Sequence, residues 1–252
     1  MPRYALELEY AGTGLSGWQR QAAGLSVQQV LEAAASRLAL AAPVAATAAG
    51  RTDAGVHAEA MVVHLDLDRA IAPARLRDAL NFHMRTHAVA VLRAAVAAPD
   101  WHARFSATGR AYRYRILARP ARPALLARRG WHGDPALDVP AMDAAARSLL
   151  GRHDFTSFRA TACQARSPLR TLDRLAVSRA GELIEVVAEA RSFLHHQVRN
   201  MVGTLKLVGE GRWPVARVAE ALAARDRAAA GPTAPAEGLS LTGVRYPVDP
   251  FA

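Results

Sequence analysis

Residues 44–67 read VAATAAGRTDAGVHAEAMVVHLDL, which predicts two strands joined by a short polar loop. The first candidate strand, residues 44–49, is short and rich in alanine. In the second, Met61, Val63, Leu65 and Leu67 alternate with other residues, as expected for a strand with one buried face. A polar loop held between two strands is a common place for binding and catalytic residues, because the sheet fixes its ends.

The loop itself, residues 50–58, reads GRTDAGVHA. Its two glycines permit backbone angles that other residues resist, and they let a substrate approach closely. A carboxylate such as that of Asp53 stays ionised beside a guanidinium such as that of Arg51, which suits a base or a nucleophile. The alternative is a plain tight turn in which Asp53 accepts hydrogen bonds from backbone amides and Arg51 is solvated.

The rest of the chain alternates strands with a few helices, which favours an α+β fold on a largely antiparallel sheet. Residues 4–10, 88–96 and 111–118 have strand patterns, and Tyr112, Tyr114 and Ile116 fall on one side of the third. Ser26 and Gln29 form a capping-box pattern at the start of a helix. Further helices are predicted from Pro73, after Asp138, over residues 195–208 and from Pro214, and a hairpin is predicted around Gly181.

The charge balance indicates a polyanionic partner. The 252 residues include 32 basic and 22 acidic side chains, for a formal net charge of +10, and every basic residue except Lys206 is arginine. A GC-rich genome explains arginine in place of lysine but not the surplus of positive charge. Nucleic acid and membrane surfaces both attract such a surplus, so charge alone does not choose between them.

Cysteine content and the N-terminal sequence point to an intracellular protein without a membrane span. Cys163 is the only cysteine, which excludes an internal disulfide and a cysteine-rich metal site. The first residues read as a strand and not as a signal peptide, and no apolar stretch is long enough to cross a bilayer. We therefore expect a cytoplasmic protein that does not bind membranes.

The loop at residues 50–58 is one of six distinctive blocks along nearly the whole chain. They are YAGTGLSGWQRQ (10–21), GRTDAGVHA (50–58), WHARFSA with RAYRY (101–107 and 110–114), GRHDFTSF (151–158), FLHHQVRNMVG (193–203) and APAEGLSL (234–241). In this order they resemble the TruA-type tRNA pseudouridine synthases. A single motif can match by chance, but six in the same order are far harder to obtain that way.

The resemblance implies a role for four residues. Asp53 matches the catalytic aspartate of that family, and Arg51 matches the arginine that helps to extrude the target nucleotide. Tyr112 matches the tyrosine that stacks on the flipped uracil. Arg199 matches the arginine that pairs with the catalytic aspartate. Without the resemblance, Tyr112 in a strand and Arg199 on a helix would be interpreted as structural or solvated side chains.

The resemblance also implies the fold, the partners and the reaction. The fold is the pseudouridine synthase fold: an antiparallel mixed sheet core with helices on one face and two related halves flanking a basic cleft. We predict that residues 1–99 form the half with the catalytic loop and residues 100–252 the half with Tyr112 and Arg199. The expected partners are the anticodon stem-loop of tRNA, modified at uridines 38, 39 and 40, and a second copy of the chain. No cofactor and no metal are expected.

Two departures from the family pattern and two rival functions stand beside this prediction. Ala11 replaces a usual aspartate, and residues 81–85 (Asn-Phe-His-Met-Arg) replace an Asn-x-x-Leu-Pro segment. One rival is a non-catalytic RNA-binding or RNA-chaperone protein of the same fold, and the other is a hydrolase that uses Asp53 with His57. Asp53 itself could form a covalent adduct or remove a sugar proton to give a glycal, and we favour the second.

Overall fold

A computed structural model describes residues 1–41 and 43–252, which form ten strands and five α-helices in an α+β arrangement. The strands are β1 (Arg3–Tyr10), β2 (Ala46–Ala48), β3 (His57–Asp66), β4 (Val89–Ala97), β5 (Gly109–Ala118), β6 (Trp131–Gly133), β7 (Gly151–Asp154), β8 (Leu169–Ala180), β9 (Leu183–Ala190) and β10 (Leu239–Arg245). The helices are α1 (Val27–Ser36), α2 (Pro73–Met84), α3 (Val139–Ala146), α4 (Gln197–Gly209) and α5 (Ala216–Ala224). The expected fold class is confirmed.

The chain divides into two compact units, residues 1–110 with 240–252 and residues 111–239. The first unit thus runs to Arg110 and takes in the end of the chain, which returns to it, while the predicted halves, residues 1–99 and 100–252, stay a prediction. This return has a physical cause, because β10 pairs with β3 through Ser240 opposite His57 and Leu241 opposite Ala58. Local sequence patterns do not reveal a pairing between strands so distant along the chain.

In the first unit the strand order is β4-β1-β3-β10, with β2 also paired to β3. β1 pairs antiparallel with β3, and the register sets Leu6 opposite Val63 and Leu8 opposite Met61. All four of these side chains have no exposed surface. The alternation seen in the sequence thus produces a shared apolar face, which fixes the register because a slip of one residue would expose it.

Helices α1 and α2 cover apolar side chains of the first unit. At the start of α1 the Ser26 hydroxyl accepts a hydrogen bond from the Gln29 backbone N–H at 3.2 Å, and the Gln29 side chain accepts one from the Ser26 N–H at 2.9 Å. The predicted capping box is confirmed. At the end of α2 the Asn81 amide donates to Val91 O at 2.9 Å and accepts from Val91 N at 2.7 Å, which joins the atypical segment to β4.

In the second unit the strand order is β5-β9-β8-β7, with β6 paired to β5. The β8–β9 hairpin turns at Gly181, whose φ of +60° suits glycine, as predicted. On β5, Tyr112, Tyr114 and Ile116 are buried, while Arg113 and Arg115 both approach Glu185 on the opposite face, at 3.4 and 3.1 Å. The prediction that one face of this strand carries Tyr112, Tyr114 and Ile116 and the other carries the arginines is confirmed.

Helix α4 begins later than predicted. It starts at Gln197 and not at residue 195, because His196 has a φ of +62° and lies in the left-handed region, where a helix cannot continue. No helix in the described part of the chain is long and apolar enough to cross a membrane.

One buried histidine makes the stability of the first unit sensitive to pH. His64 Nδ1 accepts a hydrogen bond from Ala103 N at 3.2 Å, so the ring must be neutral at that nitrogen. Burial lowers the pKa of His64 to about 4, with smaller contributions from the nearby charges of Arg3 and His102, while Asp66 acts in the opposite direction. The folded protein is therefore more stable with the His64 imidazole in its neutral form.

We expect the free energy of unfolding to fall as the pH is lowered from about 6.5 to about 4. Over this range His64 is protonated in the unfolded chain but stays neutral in the folded protein. Above pH 6.5 neutral His64 makes its full contribution to the free energy of unfolding. The loss of this contribution at low pH amounts to roughly 1–3 kcal/mol. Denaturant titrations of the wild type and His64→Asn, whose side-chain oxygen can still accept from Ala103, measure it. Equal pH dependence in the two proteins would show that His64 is not responsible.

Candidate active site

Residues 49–56 connect β2 to β3 and carry Arg51 and Asp53, so the predicted loop is present but its last two residues, His57 and Ala58, belong to β3. Asp53 is half-buried and Arg51 is exposed. Val56 N donates to Asp53 O at 3.1 Å, and Gly55 has a φ of +82°, so the chain turns sharply after the carboxylate. The loop therefore presents two side chains of opposite charge from a compact turn.

A second loop, residues 11–25, packs directly on the backbone of this turn. Trp18 N donates to Thr52 O at 3.0 Å. A Cβ atom added to Gly17 would lie 2.5 Å from Thr52 O and 2.9 Å from Asp53 C, and one added to Gly12 would lie 2.1 Å from Val56 O. Only glycine allows such close backbone packing. The backbone on both sides of Asp53 is held in place by this contact.

Buried side chains add two further hydrogen bonds to the loop. Tyr10 and Thr52 share one between their hydroxyls at 2.8 Å. His57 Nδ1 accepts from Gly12 N at 3.0 Å, and the ring is 2% exposed. This arrangement gives His57 a structural role as an acceptor, which weakens the idea that it acts with Asp53 as a hydrolytic base.

Arg110 anchors the start of the loop from inside the first unit. Its Nη2 donates to Ala49 O at 2.7 Å and to Arg104 O at 2.9 Å, and its Nη1 donates to Ala107 O at 3.4 Å. The side chain is 9% exposed. A planar guanidinium can donate several hydrogen bonds in fixed directions, which suits the joining of two backbone segments. Residue 49 directly precedes the loop at residues 50–58, so Arg110 helps to fix the position of that loop.

In the loop of residues 11–25, the structure changes the interpretation of Trp18. The mixture of Trp18, Gln19, Arg20 and Gln21 suggests an RNA contact or a solvated loop. Trp18 is 2% exposed and packs 6.5 Å from the Tyr10 ring, so it belongs to the core and is not available for stacking on RNA. Arg20 pairs with Glu32 at 2.6 Å.

Tyr112 and Arg199 both lie in the second unit. The Tyr112 ring is 9% exposed and meets Phe193 edge-on, with centroids 5.2 Å apart and planes at 90°. Arg199 is half-buried on α4, and its Nε donates to Ala234 O at 2.8 Å while Ala234 N donates to Arg199 O at 3.1 Å. Both side chains are thus oriented by neighbours within their own unit.

The four predicted site residues fall two in each unit, and the pairing of Arg199 with Asp53 stays a prediction. Residues that support the loop were not identified from the sequence: Gly12, Gly17, Tyr10 and Arg110. The glycine spacing in residues 10–21 is the one local signal that could have indicated close packing. The role of Arg110 has no such signal, because it acts on a residue 61 positions earlier.

Comparison with known proteins identifies the family of the chain. The family profile described as tRNA pseudouridine synthase matches residues 8–106 and 145–247. A protein named tRNA pseudouridine synthase A from Acidiphilium cryptum is 66% identical over 252 residues, covering 100% of this chain and 99% of the relative. Relatives of the same name from Gluconobacter oxydans and Paramagnetospirillum magneticum are 57% and 59% identical, covering 99% and 98% of this chain and 91% and 96% of their own lengths. The chain belongs to the tRNA pseudouridine synthase family.

Proposed function

We propose that Asp53 is the catalytic carboxylate with which this chain converts uridines 38, 39 and 40 of the tRNA anticodon stem-loop to pseudouridine. Isomerisation of tRNA uridine follows from membership of the family. The observation that carries the assignment of Asp53 is its place in a loop whose backbone is held by Gly17, Trp18 and Tyr10. A fixed backbone with a half-buried carboxylate is what a reaction with precise geometry needs.

The reaction exchanges one bond to the sugar for another. The bond from ribose C1′ to uracil N1 breaks, the uracil rotates, and a bond from C1′ to C5 forms. The hydrogen on C5 leaves as a proton and N1 gains one, so substrate and product are isomers and no electrons are gained or lost. We favour Asp53 as the base that removes and returns a sugar proton, which gives a glycal, over Asp53 as a covalent nucleophile.

The other three residues have roles that fit their settings. Arg51 is exposed on the same loop as Asp53, where its long planar side chain can occupy the space left by an extruded nucleotide. Tyr112, held by Phe193, supplies an aromatic wall that retains the detached uracil. Arg199, oriented by Ala234, is the cation proposed to pair with the catalytic carboxylate.

The partners and the cellular location are part of the same proposal. A net charge of +10 suits binding to an RNA backbone, with an affinity that falls as salt rises. We propose that two copies of the chain form a homodimer, which allows one tRNA to touch both subunits. We place the protein in the cytoplasm, where tRNA is modified.

Unmodified tRNA labelled with tritium at uracil C5 tests the function with purified protein. We expect release of tritium to water without release of free uracil, and pseudouridine mapped at positions 38, 39 and 40. A transcript that carries no uridine at these positions is the matched control and should release no tritium. Labelled free uracil would indicate hydrolysis, and tRNA binding without tritium release would indicate the non-catalytic RNA-binding alternative.

A further inference from the structure

Two recesses lie side by side at the outer strand, β7, of the sheet in the second unit. One has a volume of about 620 Å³ and the other about 310 Å³, and both are lined by Arg152, Ser167 and Leu169. Arg225 completes the first recess, and Arg170 and Arg191 complete the second. We call these six residues the arginine groove.

The arginine groove is strongly cationic. The smaller recess has three arginines and no acidic residue in its described lining. The larger one has Arg152 and Arg225 with a single carboxylate, that of Asp154, which lies 3.8 Å from Arg225. Among the described residues, the Arg152 side chain has no hydrogen bond or ion pair. Such a concentration of guanidinium groups on one surface recess favours a ligand with more than one negative charge.

Arg170 carries a donor that the protein itself leaves unused. Its Nη1 donates to Ser167 O at 3.0 Å and to Leu169 O at 2.6 Å, which fixes the guanidinium plane. Its Nε is buried and donates to no described atom. Burial also lowers the pKa of Arg170, since no carboxylate compensates for the lost hydration. Because this Nε is enclosed by the protein, Arg170 contributes its positive charge to the recess and not this donor.

The arginine groove lies close in the chain to the aromatic side chain proposed to hold the uracil. Arg191 and Ser192 line the smaller recess and directly precede Phe193, whose ring meets Tyr112 at 5.2 Å. Two residues span at most about 7 Å. An RNA strand whose target base lies at Tyr112 would therefore bring neighbouring phosphates within reach of the groove.

We infer that the arginine groove binds backbone phosphates of the tRNA strand next to the target nucleotide, an inference that rests on the proposed function. The lining offers guanidinium and hydroxyl donors, and its described residues include the His153 imidazole but no tyrosine, phenylalanine or tryptophan, which suits phosphodiesters better than stacked nucleobases. These contacts position the strand and carry no sequence information. They account for part of the affinity and of its dependence on salt.

Equilibrium binding of unmodified tRNA over a range of salt concentrations tests the inference. The variants are Arg152→Gln, which removes a guanidinium that has no hydrogen bond or ion pair among the described residues, and Arg152→Gln with Arg191→Gln. We expect the double variant to bind roughly tenfold more weakly and the slope of log Kd against log salt to fall by about 1.4–1.8, or about 0.7–0.9 for each lost phosphate contact. The single variant should show about half of that change in slope.

The matched control removes the same charge elsewhere. Arg37 and Arg75 are exposed residues at the end of α1 and on α2, outside the arginine groove. We expect Arg37→Gln with Arg75→Gln to keep the wild-type slope. Equal slopes for the groove double variant and the wild type would overturn the inference, as would equal losses in both double variants, because the effect would then reflect net charge alone. Thermal unfolding of each variant checks that the fold is retained.

Binding of the isolated anticodon stem-loop tests where the phosphates lie. A loss of affinity with both the stem-loop and the whole tRNA supports contacts next to the target, and a loss with the whole tRNA alone overturns that placement. The inference and the proposed function fail separately. If the protein converts uridine but the groove double variant keeps the wild-type salt slope, the inference about the groove is wrong and the proposed function stands. If the double variant has a reduced slope but the wild-type protein forms no pseudouridine, the proposed function is wrong and the groove still binds RNA phosphates.

Discussion

Asp53→Asn is expected to lower the single-turnover rate of pseudouridine formation by at least about 10³-fold while tRNA binding is retained. Asparagine has nearly the same shape but cannot accept a proton or attack as a carboxylate, and such groups typically contribute about 10²–10⁴-fold. The backbone contacts that hold the loop come from Trp18, Gly17 and Gly12, so the substitution should leave its conformation intact. Single-turnover assays with excess protein, together with equilibrium tRNA binding, measure both effects.

The control for this variant is Asp78→Asn, which removes an exposed carboxylate paired with Arg77 on α2 and changes the net charge equally. We expect it to react at the wild-type rate. An Asp53→Asn protein that retained more than about a tenth of the wild-type rate would exclude an essential catalytic role. A parallel loss of tRNA binding would instead point to a role for Asp53 in holding the RNA.

Gly17→Ala is expected to have the second largest effect, lowering the rate of pseudouridine formation by about 10²-fold. Its Cβ would lie 2.5 Å from Thr52 O and 2.9 Å from Asp53 C, so the backbone that carries the carboxylate must move. A displacement of about 1 Å is enough to cost that much in rate. The clash and the φ of +92° should also reduce the free energy of unfolding by roughly 2–4 kcal/mol.

Gly14→Ala separates displacement of the catalytic loop from backbone strain. Gly14 lies in the same loop with a φ of +80°, but an added Cβ would meet no atom within 4 Å. We expect it to reduce stability by about 1 kcal/mol through strain alone and to keep the wild-type rate. If both variants lost activity equally, flexibility of residues 11–25 and not the position of Asp53 would explain the effect.

Local features of the fold could be predicted from the sequence because their causes are local. The Ser26–Gln29 capping box needs two residues three positions apart, and the alternation in β1 and β5 reports directly which side chains are buried. The start of α4 was placed too early because the left-handed backbone of His196 leaves no mark on hydrophobic periodicity. The return of β10 to β3 could not be predicted, because the two strands lie far apart along the chain.

The candidate site was identified through its sequence blocks, while the residues that support it were not. GRTDAGVHA is contiguous, so resemblance alone locates Asp53 and Arg51. Arg110 and the arginine groove depend on residues brought together by folding, since Arg152, Arg170 and Arg225 are scattered over more than seventy positions. Each appears in the sequence as one more arginine in an arginine-rich chain.

Mapping of pseudouridine in tRNA from cells that lack this gene shows whether Asp53 carries the modification in the cell. We expect uridines 38, 39 and 40 to remain unmodified in such cells, the wild-type gene to restore pseudouridine there, and the Asp53→Asn gene to fail although its protein accumulates normally. Modification of these positions in the deletion strain, or its restoration by Asp53→Asn, would show that this chain does not modify them through Asp53.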